Sequence, residues 1–177
     1  VLTTLLSGGD PTAQIQAYAD NMALIVKLLA LAGADQFLLW NIPDIGYIPA
    51  IRAMGPTATA VASLYTGLMN QALVQALGGL APSIADGIHL FDAYAALQDI
   101  ATNPAAFGFA DANNACAADP LCVANPSGYF FWDGIHPTTA GHQLMASLAL
   151  VELPEPGSAV LVALGLFGLL VSVRRVR

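Results

Sequence analysis

Two short apolar runs constrain the fold most: Gln36-Phe37-Leu38-Leu39-Trp40 and Ile88-His89-Leu90-Phe91, each bounded by turn-forming residues. Such runs are too brief for core helices and show no clean alternation, as expected of strands buried on both faces of a parallel sheet. Helical patterns separate them. Ile15, Tyr18, Met22, Ile25, Leu28 and Leu29 recur at helical spacing over Thr12 to Ala32, after Asp10-Pro11 and before Gly33. A second helix is predicted over Thr57 to Leu77, closed by Gly78-Gly79, and a third over Ala93 to Ala101 with Asp92 as its cap. Residues 103–128 read as loop, and a last helix runs from near Thr138 to about Leu150. Helices alternating with buried strands indicate an α/β layer fold with a parallel sheet.

The end of the chain has a different composition. Leu153-Pro154-Glu155-Pro156-Gly157 stops the preceding helix. Ser158 to Val173 then carries no charge, and Arg174-Arg175-Val176-Arg177 follows. Sixteen helical residues reach roughly 24 Å, slightly short of a hydrocarbon core. With arginines snorkelling at one end, the segment can span a thin membrane and keep its basic cluster cytoplasmic. The bland alternative is a buried core helix, which would show a polar stripe and would not end in three arginines.

Charge excludes one class of partner. The net charge is −7, and within residues 1–150 only Lys27 and Arg52 stand against ten acidic residues, a balance of −8. A body of that sign repels phosphate backbones, so no nucleic-acid partner is expected.

The tripartite tail, Pro154-Glu155-Pro156, an apolar span and a terminal Arg cluster, resembles the PEP-CTERM sorting signal of Gram-negative bacteria. The resemblance divides the chain at 1–152 and 153–177. It implies export, recognition by an exosortase, transient inner-membrane anchoring, and release to the envelope or the extracellular space. In an exported protein Cys116 and Cys122 would most simply form a local disulfide, whereas in a cytoplasmic one they would be free thiols.

The densest polar and aromatic cluster runs from Tyr129 to His142 and contains Trp132-Asp133-Gly134-Ile135-His136-Pro137-Thr138. An Asp three residues before a His, in a turn leading into a helix, can set its carboxylate against the imidazole and fix one tautomer. The other ring nitrogen is then available to deprotonate a hydroxyl. Alone, this spacing equally describes a surface turn with a capping Asp. A metal cluster of Asp133, His136 and His142 is the lesser alternative. His89 reads as a partly buried structural residue, His142 as a partner for loop backbone groups, and Trp40 and Trp132 as core or pocket-wall residues.

The wider string, with Gly141-His142 close behind, resembles the last block of the SGNH/GDSL hydrolases, most of all their lipase-like and hemolysin-like esterases. Leu38 to Gly46 resembles that family's central strand and following loop, and Leu90-Phe91-Asp92-Ala93-Tyr94 its later strand-to-helix turn. The resemblance implies a three-layer α/β/α, flavodoxin-like domain over 1–152, its first strands missing. It also implies ester hydrolysis through an acyl-enzyme, with Asp133 orienting His136, an ester substrate and no cofactor. The chain departs from the family pattern in two ways: it holds neither a Gly-Asp-Ser nucleophile motif nor a Gly-x-Asn-Asp oxyanion block. Ser7-Gly8-Gly9-Asp10 has the wrong order, and Ser63, Ser83, Ser127 and Ser147 sit in helices or loops unsuited to the role. The expectation is the C-terminal portion of a longer esterase or lipase, inactive when isolated. A non-catalytic envelope or biofilm-matrix protein keeping the same fold is the alternative.

Overall fold

The structure, a computed structural model, describes residues 9–153. Ser7 and the apolar span of the tail lie outside them. Among the described residues no helix is long and apolar enough to cross a membrane.

Helix α1 (Thr12–Leu31) begins where the Asp10 carboxylate accepts the Thr12 N–H at 2.9 Å, and it stops before Gly33, whose φ of 103° suits only glycine. Strand β1 (Phe37–Trp40) follows. After a short 3-10 turn come α2 (Pro49–Arg52), α3 (Pro56–Gly78) and α4 (Pro82–Ala85), then strand β2 (Ile88–Phe91). β1 and β2 are parallel, with Phe37 opposite Ile88 and Trp40 opposite Phe91. Helix α5 (Ala93–Thr102) starts at Asp92, whose side chain accepts the Ala95 N–H, as the sequence indicates.

Two expectations need correction. The stretch 103–128 is not simply loop: it holds β3 (Asp111–Ala115) and α6 (Pro120–Ala124). β3 runs parallel to β4 (Tyr129–Phe131), so the described strands form two separate two-stranded ladders rather than one sheet. The Asp-Ala-Asn-Asn-Ala sequence has no β propensity, so only pairing with β4 makes it a strand. The second correction concerns α1. Its buried residues are Ala19 and Val26, while Ile25, Leu28 and Leu29 are about half exposed. In a helix apolar nearly all round, spacing does not say which stripe faces inward. Contact with Phe37, Leu73 and Leu77 chooses Val26, with Tyr18 and Met22 beside it.

Helix α7 (Thr139–Leu150) closes the described chain, capped by Thr138, whose hydroxyl accepts the Gly141 N–H at 3.1 Å. The larger core lies between α5, β4 and α7, where Leu97, Ile100, Phe130, Phe131 and Ala149 are all at most 3% exposed. Gly141 permits this packing, because a Cβ there would stand 2.7 Å from the Phe130 carbonyl oxygen.

Candidate active site

The turn between β4 and α7 is fixed from several sides. The Trp132 N–H donates to the His136 carbonyl at 2.8 Å and the Thr138 N–H to the Phe130 carbonyl at 2.8 Å, so Phe131 and Pro137 bridge antiparallel. The Ala50 N–H donates to the Gly134 carbonyl at 2.9 Å, and the Ala117 N–H to the Trp132 carbonyl at 2.7 Å. Ala117 lies between Cys116 and Cys122, which are joined as a disulfide with both cysteines buried.

Within this turn Asp133 Oδ1 accepts the backbone N–H groups of Ile135 (2.8 Å) and His136 (2.7 Å). Its Oδ2 lies 2.8 Å from His136 Nδ1. The same side chain thus builds the turn and holds the imidazole. The His136 backbone N–H, then its ring, then the Ile135 N–H hold the Asp133 carboxyl down to about 2. A carboxylate can only accept, so Nδ1 carries the hydrogen and Nε2 presents a lone pair. The His136 side chain is 70% exposed, so that nitrogen is reachable. The arrangement can take a proton from a hydroxyl and stabilise the imidazolium that results.

No other singled-out side chain among the described residues hydrogen-bonds to this pair. His142 Nδ1 donates to the Thr138 carbonyl at 3.1 Å, and His89 Nε2 meets Gln36 Oε1 at 2.9 Å. Trp40 and Trp132 are each 40% exposed, and Trp40 meets Phe91 edge to face. Ser63 donates to Asp44, Ser127 to Asn125 and Ser147 to the Gln143 carbonyl, so none of these hydroxyls meets His136.

Sequence reading missed the support around Asp44. This carboxylate is fully buried, accepting Gly46 N–H (2.9 Å), Ser63 Oγ (2.7 Å) and Gln98 Nε2 (2.7 Å). Those bonds offset its desolvation and tie the loop after β1 to α3 and α5. It also missed Arg52, which stacks 5.6 Å over the Tyr47 ring and lines a hollow with Asn113, Asn114 and Gly134, on one side of the Asp133–His136 turn. Its only signal in the sequence is being one of two cations in an acidic body.

A family model described as GDSL-like lipase/acylhydrolase matches residues 8–149. The chain belongs to that family. A GDSL esterase/lipase of Arabidopsis thaliana is 32% identical over 161 residues, covering 81% of this chain and 43% of its own length. A second Arabidopsis GDSL esterase/lipase is 26% identical over 154 residues, covering 80% and 43%. An uncharacterized protein of Pseudomonas putida from the trpE-trpG intergenic region is 30% identical over 174 residues, covering 86% and 28%. The chain therefore spans less than half the length of these curated relatives. The α/β fold with parallel strands is consistent with that family.

Proposed function

We propose that this chain carries the acid–base half of an exported serine ester hydrolase. The observation that supports this most is the Asp133–His136 pair, 2.8 Å apart in a turn hydrogen-bonded on both flanks. His136 Nε2 takes the proton of a serine hydroxyl as that oxygen attacks the ester carbonyl, and Asp133 stabilises the imidazolium. The same ring then protonates the leaving alcohol, and a second cycle with water releases the acid from the acyl-enzyme.

The attacking serine and an asparagine oxyanion donor come from a part of the protein outside these 177 residues, since the chain holds neither motif. In the whole protein these strands complete a three-layer α/β/α, flavodoxin-like domain of the hemolysin-like branch. The tail, with Pro154-Glu155-Pro156 and its terminal arginines, addresses the protein to an exosortase and anchors it transiently in the inner membrane of a Gram-negative cell.

The test is hydrolysis of p-nitrophenyl esters by the whole protein and its His136→Ala variant. Loss of about three orders of magnitude or more is expected. Turnover that survives the substitution removes His136 as the base. No turnover by the whole protein favours the non-catalytic envelope protein instead. The isolated 177-residue chain is expected to be inactive.

A further inference from the structure

Arg52 closes helix α2 with no acid to pair with. Residues 1–150 hold ten acidic side chains and two basic ones, and the second cation, Lys27, lies in α1. Among the described residues the Arg52 guanidinium meets no carboxylate within ion-pair distance and donates no hydrogen bond. It is held in place all the same. The Tyr47 ring lies 5.6 Å away against one face, which leaves the N–H edge of the fork unspent. Two residues earlier, the Ala50 N–H binds the Gly134 carbonyl at 2.9 Å, and only a residue without a side chain tolerates that approach easily: a Cβ at Gly134 would stand 3.2 Å from the Ala50 Cβ. Arg52 and Gly134 thus line one hollow of about 580 Å³, and Gly134 stands two positions before His136. The carboxylates next to the lining residues are already engaged. Asp111 takes the N–H groups of Asn113 and Asn114 at 2.7 and 3.0 Å and the Asn114 amide at 2.7 Å, and Asp133 takes its own turn and His136.

We propose that this hollow seats an anionic group, a phosphate or a carboxylate carried by the substrate, and that Arg52 is the residue that recognises it; the link to a substrate rests on the hydrolase reading above. Charge is the first argument. A body with a balance of −8 repels anions over most of its surface, so a guanidinium without an acid partner marks the place where an anion is favoured. Shape is the second. The guanidinium fork presents parallel donors to two oxygens of one anion, which a lysine ammonium does not. Preorganisation is the third: contact with Tyr47 orders the side chain before a ligand arrives, so less entropy is lost on binding. The walls supplied by Pro49, Ala50, Ala53 and Ala115 bring no competing charge, and no carboxylate lines the hollow. Because Gly134 forms part of the wall, a bound anion lies beside the turn that carries His136, with the rest of the molecule free to reach the ring.

The site itself is tested by calorimetric titration of the whole protein carrying His136→Ala with inorganic phosphate, glycerol 1-phosphate and succinate. Arg52→Gln is expected to weaken the best of these about tenfold, and Arg52→Lys to weaken it less, since the charge stays and the fork goes. Raising the salt from 0.05 to 0.5 M should weaken binding by the parent and hardly affect Arg52→Gln. A preference for the phosphates or for succinate names the anion, and either supports the site even if the hydrolase reading fails. Affinity that ignores Arg52, or no binding of any of the three, overturns it. The role in substrate choice is tested on the protein with His136 intact, using p-nitrophenyl hemiesters of succinate, glutarate and adipate against neutral p-nitrophenyl esters of the same chain length. The charged-to-neutral ratio of kcat/KM is expected to fall about tenfold in Arg52→Gln at the best-fitting spacing, with turnover of the neutral esters unchanged. A ratio unchanged across the series, or an equal loss on neutral and charged esters, overturns that role. The hydrolase reading then still stands as long as turnover needs His136.

Discussion

Around β4 the chain closes on itself, whereas around β1 it leaves apolar surface in solvent. Phe109, Phe130 and Phe131 meet edge to face, with centroids 5.4 and 4.9 Å apart, and the neighbouring disulfide pins the preceding segment. On the other side the buried cluster among the described residues is smaller, Val26, Phe37, Leu73 and Leu77. There Leu24, Leu28 and Leu31 of α1 and Leu64 and Val74 of α3 are between 51% and 78% exposed. Among the described residues β1 pairs on one edge alone. Exposed apolar side chains and an open strand edge are what a further layer of protein would cover. The contrast says that the turn holding Asp133 and His136 rests on a locally complete core, while the β1 half leaves apolar side chains and a strand edge uncovered among the described residues.

Substitutions can break or sharpen this contrast. Phe130→Ala, in the closed core, is expected to cost about 3–5 kcal/mol in denaturant unfolding of the whole protein. A cost under 1 kcal/mol would deny that core its role. Replacing Cys116 and Cys122 with serine is expected to cost about 2 kcal/mol, because the bridge closes a short loop. It should also loosen the turn through the Ala117–Trp132 hydrogen bond. Thr138→Val keeps the volume but removes the hydroxyl that donates to the Tyr129 carbonyl and accepts the Gly141 N–H, for about 1–2 kcal/mol.

The smallest folding effect is expected from Leu28→Gln. In the 177-residue chain it should change stability by less than about 0.5 kcal/mol and reduce self-association, measured by sedimentation. In the whole protein the same substitution should be distinctly destabilising; equal, negligible effects in both would show that nothing packs on this face. Acid offers one more reading. The Asp133 carboxyl is lowered to about 2 in the folded protein, below its ordinary value of 3.8. A depressed folded value means stability present above pH 4 and lost as pH falls toward 2. Asp133→Asn should therefore flatten the pH dependence of melting between pH 4 and 2 relative to the parent.

Much of the chain was legible because its signals are local. The Asp92 cap, the Gly33 stop and the β2 run Ile88–Phe91 stand where short-range hydrogen bonds and steric limits require. The Asp133–His136 contact belongs to this group, since it joins residues three positions apart. Asp44 was not legible as a clamp, because its partners Ser63 and Gln98 come from two other helices. Arg52 was not legible beside Gly134, because α2 meets the turn through a tertiary contact, the Ala50 hydrogen bond.

Sequence alone therefore decided the longer helices, the strands β1 and β2, and the contact between Asp133 and His136, all matters of neighbours within a few positions. Tertiary structure decided the rest: that β3 is a strand, that α1 turns Val26 rather than Leu28 inward, and that Arg52 lines a hollow with Gly134. Those outcomes depend on which distant surfaces meet, and burial energy, unlike a cap or a turn, has no address in the local chain.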